Sequence, residues 1–541
     1  PGCYILELSS PVCYEWDAAR LAELKQLDEL GVWQPVRSTG KERVMPLIIG
    51  YKKKTDADGK VVKFKVRVCA DGRKQESKVD YDQTYSPVIN SAVMRMLLAL
   101  SVETRMHRVQ FDFSGAFLNA ENDKSQRSIP PPGYPMPPGM DLLKLLRALH
   151  GMKDSGGRWH RLLKECLGKM GFIECPSAKC CFVKSAGSEP IMLCVHVDDG
   201  IVQSTSRKVL DDVIAKLSKQ FKVTSEDLSW HLGLKIDTKD ERSWLKISCP
   251  AYVDAMLQRF NMADCNSMVT PADHNVTMTK NATDQKHDCP FQEATGSLLH
   301  PSCKCRPDIS QAVCVLSRHT KNPSKLHWDG VKRVMAYMKG SREKGLIYKK
   351  RCGEFSSTLD MLHKVKIQVF SDSDYAMDPV RRKSTTGFVI YVNGNLVDWG
   401  SKLQPIVTQS TCEAEFVAGN EAIKRAQLLR KVLLEIICFA EGREELIRED
   451  HDGKAALHWH SKHVRPVDLQ MDNMGAVFVA NTGDFNKKLK HIQVRYYYLA
   501  EQVEAGNVTV VHVAGKPNPA DLFTKDETPE VHGALIKRIV E

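Results

Sequence analysis

Three carboxylates give this chain its first chemical possibility: Asp112, in RVQFDFSGAFLNA, and the neighbouring pair Asp198 and Asp199, in IMLCVHVDDGIVQS. Asp112 closes a strand-like apolar stretch and precedes a helical turn. Two short β-branched runs flank Asp198, Asp199 and Gly200, the pattern of a hairpin with acids at its tip. Laid beside the strand that ends at Asp112, such a hairpin brings three negative charges to one spot. Their repulsion is tolerable only with cations between them. Hard divalent ions held by carboxylate oxygens about 4 Å apart are what in-line phosphoryl or nucleotidyl transfer uses.

Four more acids stand farther along, each placed by a recognisable element. KVKIQVFSDSDYA puts Val365, Ile367 and Val369 on one strand face, with Asp372 just beyond the strand end. Asn393-Gly394 joins two further strands in a hairpin. Ser410 and Glu413 have capping-box spacing, and Ala418, Ala422, Ala426, Leu429, Leu433 and Ile436 then recur at helical intervals. Glu415 points along that buried face, whereas Glu413 is turned about 200° away, so Glu413 is the cap and Glu415 the candidate ligand. VDLQMDN reads as a short strand ending at Asp472. In PNPADLF, Asn518 is an N-cap, Pro519 takes N1 and Asp521 lies in the first turn of a last helix.

Around these residues stretch 541 positions, 42% of them hydrophobic, with 77 Lys+Arg against 66 Asp+Glu. That length predicts about three to five compact units. The 17 cysteines are odd in number and contain no CxxC pair, which excludes a secreted disulfide framework or a zinc ribbon and fits a reducing compartment. Apolar runs such as MLLAL fall far below the roughly 18 residues of a membrane span, and no leader opens the chain, so no membrane partner is expected. Opening at Pro1 without Met, the chain reads as a processed or truncated piece of a larger polyprotein. Positive charge gathers between Val36 and Gln75, where twelve basic side chains face four acidic ones. There DADG is a turn signal and VVKFKVRV alternates with period two, giving a basic β-hairpin. Such a hairpin is either an edge guarded by lysines or a surface that neutralises phosphates. Between the two acid sets, Ile309, Val313 and Leu316 share one helical face, and Trp328, Val331, Met335 and Met338 another, with Gly340 as a stop. His300, Cys303 and Cys305 hint weakly at metal, and ordinary thiols are the simpler account.

Taken together, the motifs resemble the reverse transcriptases of copia-type long-terminal-repeat retrotransposons. VQFDFSGAFLN resembles the family's Q-x-D-V-x-x-A-F-L-N-G, and CVHVDDGIV its Y-V-D-D box; IPPPGY, ALHGMKDSGGRWH and KVRVCADGRKQ match further segments. The resemblance implies an α+β polymerase of the fingers-palm-thumb, right-hand type. In it Asp112 and Asp198 bind two Mg²⁺ with Asp199 in support, Lys65 and Arg67 clamp the dNTP, and Phe117 lies under its sugar to exclude a 2′-hydroxyl. RRKSTTGFVIYVNG, SKLQPIVTQSTCEAEFVAG, LKHIQVRYYYLAEQV and HVAGKPNPADLFTK resemble, in order, the same family's ribonuclease H segments. They imply an α/β ribonuclease H-like domain on a mixed five-stranded sheet, where Asp372, Glu415, Asp472 and Asp521 hold two more Mg²⁺, with Mn²⁺ as a substitute.

The corresponding division is an N-terminal segment and fingers over 1–105, a palm with residual fingers over 106–225 and thumb and connection helices over 226–362. The ribonuclease H-like domain follows over 363–526, with an inserted loop at about 440–466, and then a C-terminal tail over 527–541. Implied partners are an RNA template, a DNA primer, the RNA·DNA hybrid, dNTPs and other Pol and Gag products of the same element. The implied location is a cytoplasmic virus-like particle with a nuclear stage. Some positions depart from the family: His196 replaces Tyr before V-D-D, Asp154 and Gly156 replace Gln and Pro, and Lys516 stands where His is common. An acid at 154 is expected to face nucleic acid and weaken template positioning. The competing readings are a catalytically inactive remnant serving as a nucleic-acid-binding scaffold, which retention of all seven acids argues against, and a metal nuclease without polymerase activity, which the Asp198-Asp199 hairpin argues against.

Overall fold

A computed structural model of the chain describes residues 13–55, 61–124, 126–282, 286–448, 464–483, 497–513 and 518–540. The basic stretch forms an antiparallel hairpin of Leu47–Thr55 and Val61–Ala70, in which Gly50 lies opposite Arg67 and Lys52 opposite Lys65. Its expected DADG turn lies outside the described residues. Alternation works as the sequence requires: Val66, Val68 and Ala70 are buried while Arg67 is exposed. Helix Cys13–Glu29 backs the hairpin, its Trp16 edge-on to Tyr51 and Phe64 at 5.4 and 4.6 Å between ring centroids.

The next unit is built on a six-stranded antiparallel sheet in the order Val223–Asp227, His107–Phe113, Asp199–Ser204, Ile191–His196, Cys181–Lys184, Ile173–Glu174. Both faces are covered, which explains why its strands read as continuous apolar runs rather than alternating ones. Met192, Cys194 and Ile201 pack with helix Ser91–Glu103. Leu193, Val195 and Val202 pack on the other side with Trp159 and Leu163 of helix Ser155–Lys169 and Leu210 and Val213 of helix Arg207–Ser218.

Beyond it, strands Trp230–His231, Leu234–Lys239, Trp244–Ser248 and Leu346–Lys349 make a four-stranded antiparallel sheet. It frames helices Pro250–Arg259, Phe291–Lys304, Ser310–Ser317 and Lys325–Gly340. Ile309, Val313, Leu316, Val331, Met335 and Met338 are buried, as their spacing requires, and the last of these helices stops at Gly340.

A five-stranded mixed sheet follows, ordered Asn395–Leu403, Thr385–Val392, Ile367–Asp374, Val467–Met471, Val508–His512. The first three pair antiparallel and the last two join in parallel. Asn393 and Gly394 form the two-residue turn, both with positive φ (47° and 73°), which Asn and Gly tolerate. Helix Thr411–Ala440 packs on this sheet, and a 3-10 turn at Pro519–Phe523 also contacts it. Two expectations change. Asp372 lies inside its strand, which continues to Asp374 because each residue from Asp372 to Asp374 still pairs with the neighbouring strand. The element at Asn518 is a 3-10 turn, and after it the presumed tail includes helix Pro529–Ile536, whose His532 ring sits 5.6 Å from that of Tyr337. Most of the inserted loop, 449–463, lies outside the described residues.

One apolar core runs from helix Ser91–Glu103 into the five-stranded sheet, and Arg95 pins the junction. Its guanidinium donates to the carbonyls of Val397 (2.7 Å), Cys303 (2.9 Å) and Lys304 (3.2 Å), pairs with Asp398 at 3.3 Å and lies 4.2 Å over the Trp399 ring. Removing a buried charge from a pair of this kind costs about 3 kcal/mol. Arg95→Ala should therefore lower the melting temperature by several degrees and expose the junction to limited proteolysis, both measured against the unaltered chain.

Candidate active sites

In the six-stranded sheet, Asp199 is the direct cross-strand partner of Asp112, and the turn of the hairpin is Val197-Asp198. Residues directly opposite on adjacent strands point to the same face, where like charges repel. The backbone closes the arrangement: Phe113 N–H donates to the Asp198 carbonyl at 3.0 Å. Burial, then Asp198 and Asp112, push the Asp199 carboxyl up to about 6. The hairpin turn is strained, since Val197 is β-branched and yet has φ of 63°. The Trp159 indole N–H donates to the Val197 carbonyl at 2.7 Å and holds it there. Gly200 is required next to it, because a Cβ there would lie 2.2 Å from the Phe111 ring.

His150 links this acid group to the basic hairpin. Its ring centroid is 5.4 Å from that of Phe117. Burial first, then the fields of Arg67 and Lys65, push its imidazole down to about 4, with Asp198 acting in the opposite direction. The imidazole that lies against Phe117 thus feels the charges of Lys65, Arg67 and Asp198. Glu23, on the first helix, accepts from Val68 N–H at 3.3 Å and feels both cations. On the other side, Gln110, Asp112, Asp199, Glu226, Trp230 and His231 line an open cavity of about 290 Å³.

The second acid group is tighter. Asp372, Glu415 and Asp472 each offer a carboxylate oxygen, and all three oxygens lie within 4.8 Å of one another. Ser373 donates to Glu415 through its N–H (3.0 Å) and hydroxyl (2.8 Å), but the other Glu415 oxygen is buried without a partner. Burial, with Asp372 and Asp472 beside it, pushes the Glu415 carboxyl up to about 9. Asp472 is raised for the same reasons. Asp521 is pushed up to about 6 by burial and Asp372, and sits at the rim, joined to the trio through Lys525. That ammonium lies 3.0 Å from Asp521 and 3.4 Å from Asp372. Thr524 donates its hydroxyl to Asp372. Glu413 caps the long helix, accepting from Gln409 N–H at 2.7 Å, while Ser410 accepts from Glu413 N–H.

Three carboxylate oxygens within 4.8 Å of one another, together with a Glu415 oxygen left without a partner, are a donor set that fits a divalent cation. The first group is looser: among the described residues only the Asp372 trio and His160, Glu174 and Cys180 bring three donors within 4.8 Å. Glu174 is already engaged by His160 at 2.6 Å and Lys164 at 2.9 Å. His300 and Cys303 do not join Cys305 in such a group, and Cys305 turns instead toward Cys249. Asp154 does not face a groove. It is buried and ion-paired with Arg158 at 2.7 Å, which also bonds the Glu121 carbonyl, so its charge is used inside the protein. Lys516 lies outside the described residues. Trp159, His150, Trp230 and Ser373 carry no local sequence signal of their roles, whereas Lys525, four residues after Asp521, is a legible helical ion-pair spacing.

A sequence profile described as "Reverse transcriptase (RNA-dependent DNA polymerase)" matches residues 30–274. The retrovirus-related Pol polyprotein from transposon TNT 1-94 of Nicotiana tabacum is 26% identical over 528 residues, covering 96% of this chain and 37% of that protein. The Pol polyprotein from transposon RE2 of Arabidopsis thaliana is 29% identical over 478 residues, covering 88% of this chain and 30% of that protein. The chain therefore spans about a third of the length of these curated relatives. A solved foamy viral protease-reverse transcriptase in complex with double-stranded DNA aligns with 91% of this chain and 69% of its own at 13% identity and a TM-score of 0.47, too slight a likeness to bear on the fold. The class defined by the matched profile is the reverse transcriptase. Within it, the chain is similar over most of its length to the Pol polyproteins of copia-type retrotransposons.

The raised carboxyl at Glu415 sets a pH dependence. Its folded value, about 9, exceeds its ordinary 4.5, so its contribution to stability is complete below about pH 4.5 and is lost as pH rises through 9. The metal-free chain should melt at progressively lower temperature between pH 5 and 9. Glu415→Gln should remove most of that slope, and millimolar Mg²⁺ should flatten it in the unaltered protein, as followed by thermal unfolding.

Proposed function

We propose that the chain is an RNA-directed DNA polymerase with a fused ribonuclease H. In this reading residues up to about 362 supply fingers, palm and thumb, and the five-stranded sheet with its long helix is the ribonuclease H-like domain. The observation that carries the polymerase half is the cross-strand pairing of Asp112 with Asp199, beside Asp198 at a strained turn. The nuclease half rests on the Asp372, Glu415 and Asp472 cage with Asp521 at its rim.

Asp112 and Asp198 would hold two divalent ions, Mg²⁺ or Mn²⁺, with Asp199 in support; Asp372, Glu415, Asp472 and Asp521 would hold the second pair. The chemistry such ions supply is activation of an attacking oxygen, the primer 3′-hydroxyl in one site and water in the other, with neutralisation of the departing charge. Lys65 and Arg67 meet the triphosphate of the incoming dNTP from the hairpin. Phe117, beside His150, would lie under the sugar, where its ring would clash with a 2′-hydroxyl. His150 stays neutral at working pH and adds no charge of its own to that wall. Trp159 keeps Asp198 in place through the Val197 carbonyl. In the nuclease site Ser373 orients Glu415, and Lys525 balances Asp372 and Asp521.

The partners under this reading are an RNA template, a DNA primer, the RNA·DNA hybrid and dNTPs, along with other Pol and Gag products of the same element. The setting is a cytoplasmic virus-like particle with a nuclear stage. Asp198→Asn should reduce primer extension on a poly-RNA template to background while sparing cleavage of a labelled RNA·DNA hybrid. Asp472→Asn should do the reverse. Loss of both activities with either change would refute two separate sites.

A further inference from the structure

Away from both acid groups, two cysteines from distant parts of the chain meet at the base of the connecting helices. Cys249 stands at the N-cap position of helix Pro250–Arg259, and Cys305 at the C-cap of helix Phe291–Lys304. They are 56 residues apart in sequence, yet the Cys305 thiol donates to the Cys249 sulfur at 3.3 Å. Both side chains are fully shielded. Cys249 makes no side-chain cap to helix Pro250–Arg259, so its sulfur is left to the contact with Cys305. The Arg306 guanidinium, itself buried and paired with Asp308 at 2.6 Å, lies beside the pair. The hydrogen bond from Cys305, with the Arg306 guanidinium beside it, holds Cys249 below its ordinary range, while that same bond and burial raise Cys305 above its own. The two sulfurs are in direct contact across the two helix ends, close enough to join with little backbone movement.

We propose that Cys249 and Cys305 are a reversible redox-modification site, a dithiol that a peroxide closes to a disulfide across the base of these two helices. The step balances. Cys249 attacks one peroxide oxygen, the O–O bond breaks, and a sulfenic acid and one water result. Cys305 then attacks that sulfur: an S–S bond forms, the S–O bond breaks, and the departing hydroxide takes the Cys305 proton and leaves as the second water. Two thiols are oxidised by two electrons and one hydrogen peroxide is reduced to two waters. The residues on either side give the link a mechanical consequence. The Cys303 and Lys304 carbonyls, just before Cys305, accept from Arg95. A bridge at Cys305 would therefore brace helix Pro250–Arg259 against the junction that joins the six-stranded and five-stranded sheets.

The test treats the full chain with hydrogen peroxide, blocks remaining thiols, and digests it without reductant for mass spectrometry. Exposed Cys303 reports that oxidant has reached the protein. The expected result is a peptide cross-linking Cys249 to Cys305, reversed by dithiothreitol and retained in Cys303→Ser. Oxidised protein should melt about 5 °C or more above its reduced form, a shift absent from both Cys249→Ser and Cys305→Ser. Oxidation of Cys303 with Cys249 and Cys305 both recovered as thiols, or cross-links spread over other cysteines, would overturn the proposal. The outcome does not depend on whether the chain polymerises DNA.

Discussion

Repulsion between carboxylates is the constraint on which the rest of this molecule turns. Left to themselves, Asp112, Asp198 and Asp199 would separate, as would Asp372, Glu415 and Asp472. The fold prevents it by placing each acid on a rigid element whose position is set by apolar packing far from the charge. Glu415 is the sharpest case. Its carboxyl resists ionisation up to about 9, and one of its oxygens is buried with no partner. Replacing a buried, half-satisfied carboxyl of this kind by an apolar residue is often stabilising, so the position costs the fold stability.

The two acid groups meet this constraint differently. In the six-stranded sheet, register does most of the work: pairing Asp199 with Asp112 fixes both carboxylates on one face, and a strained turn at Val197, secured by the Trp159 indole, sets Asp198 beside them. In the five-stranded sheet the acids come from two parallel strands and a helix, with Lys525 reaching in from the rim to balance Asp372 and Asp521. That ammonium offsets Asp372 and Asp521 but does not reach Glu415. In the first group, the fields of Lys65 and Arg67 of the basic hairpin and of Asp198 meet at the His150 imidazole.

Much of this was legible in the residues themselves. The Asp-Asp-Gly hairpin between β-branched runs was legible, though its turn is Val197-Asp198 and Asp199 already lies in the strand; Asn393-Gly394 specifies another turn, and the Ser410-Glu413 spacing separates the capping acid from Glu415, as hydrogen bonding at the helix start bears out. What stayed hidden depended on contacts between remote segments. Trp159 reaches Val197 across 38 residues. Cys305 meets Cys249 rather than Cys303 or His300. Asp154, expected beside nucleic acid, is neutralised internally by Arg158, because its position at the start of helix Ser155–Lys169 puts it one turn from that guanidinium. The extension of the Asp372 strand to Asp374 was likewise invisible, since SDSD carries no strand propensity and is held in the sheet only by its neighbour.

That two pockets of negative charge are built to receive cations can be examined directly by growing crystals of the full chain with Mn²⁺ and measuring anomalous scattering at the manganese edge. The account requires strong peaks in both places, one between Asp112 and Asp198 and one enclosed by Asp372, Glu415 and Asp472. Well-ordered carboxylates in either pocket with no peak among them at millimolar Mn²⁺ would contradict it.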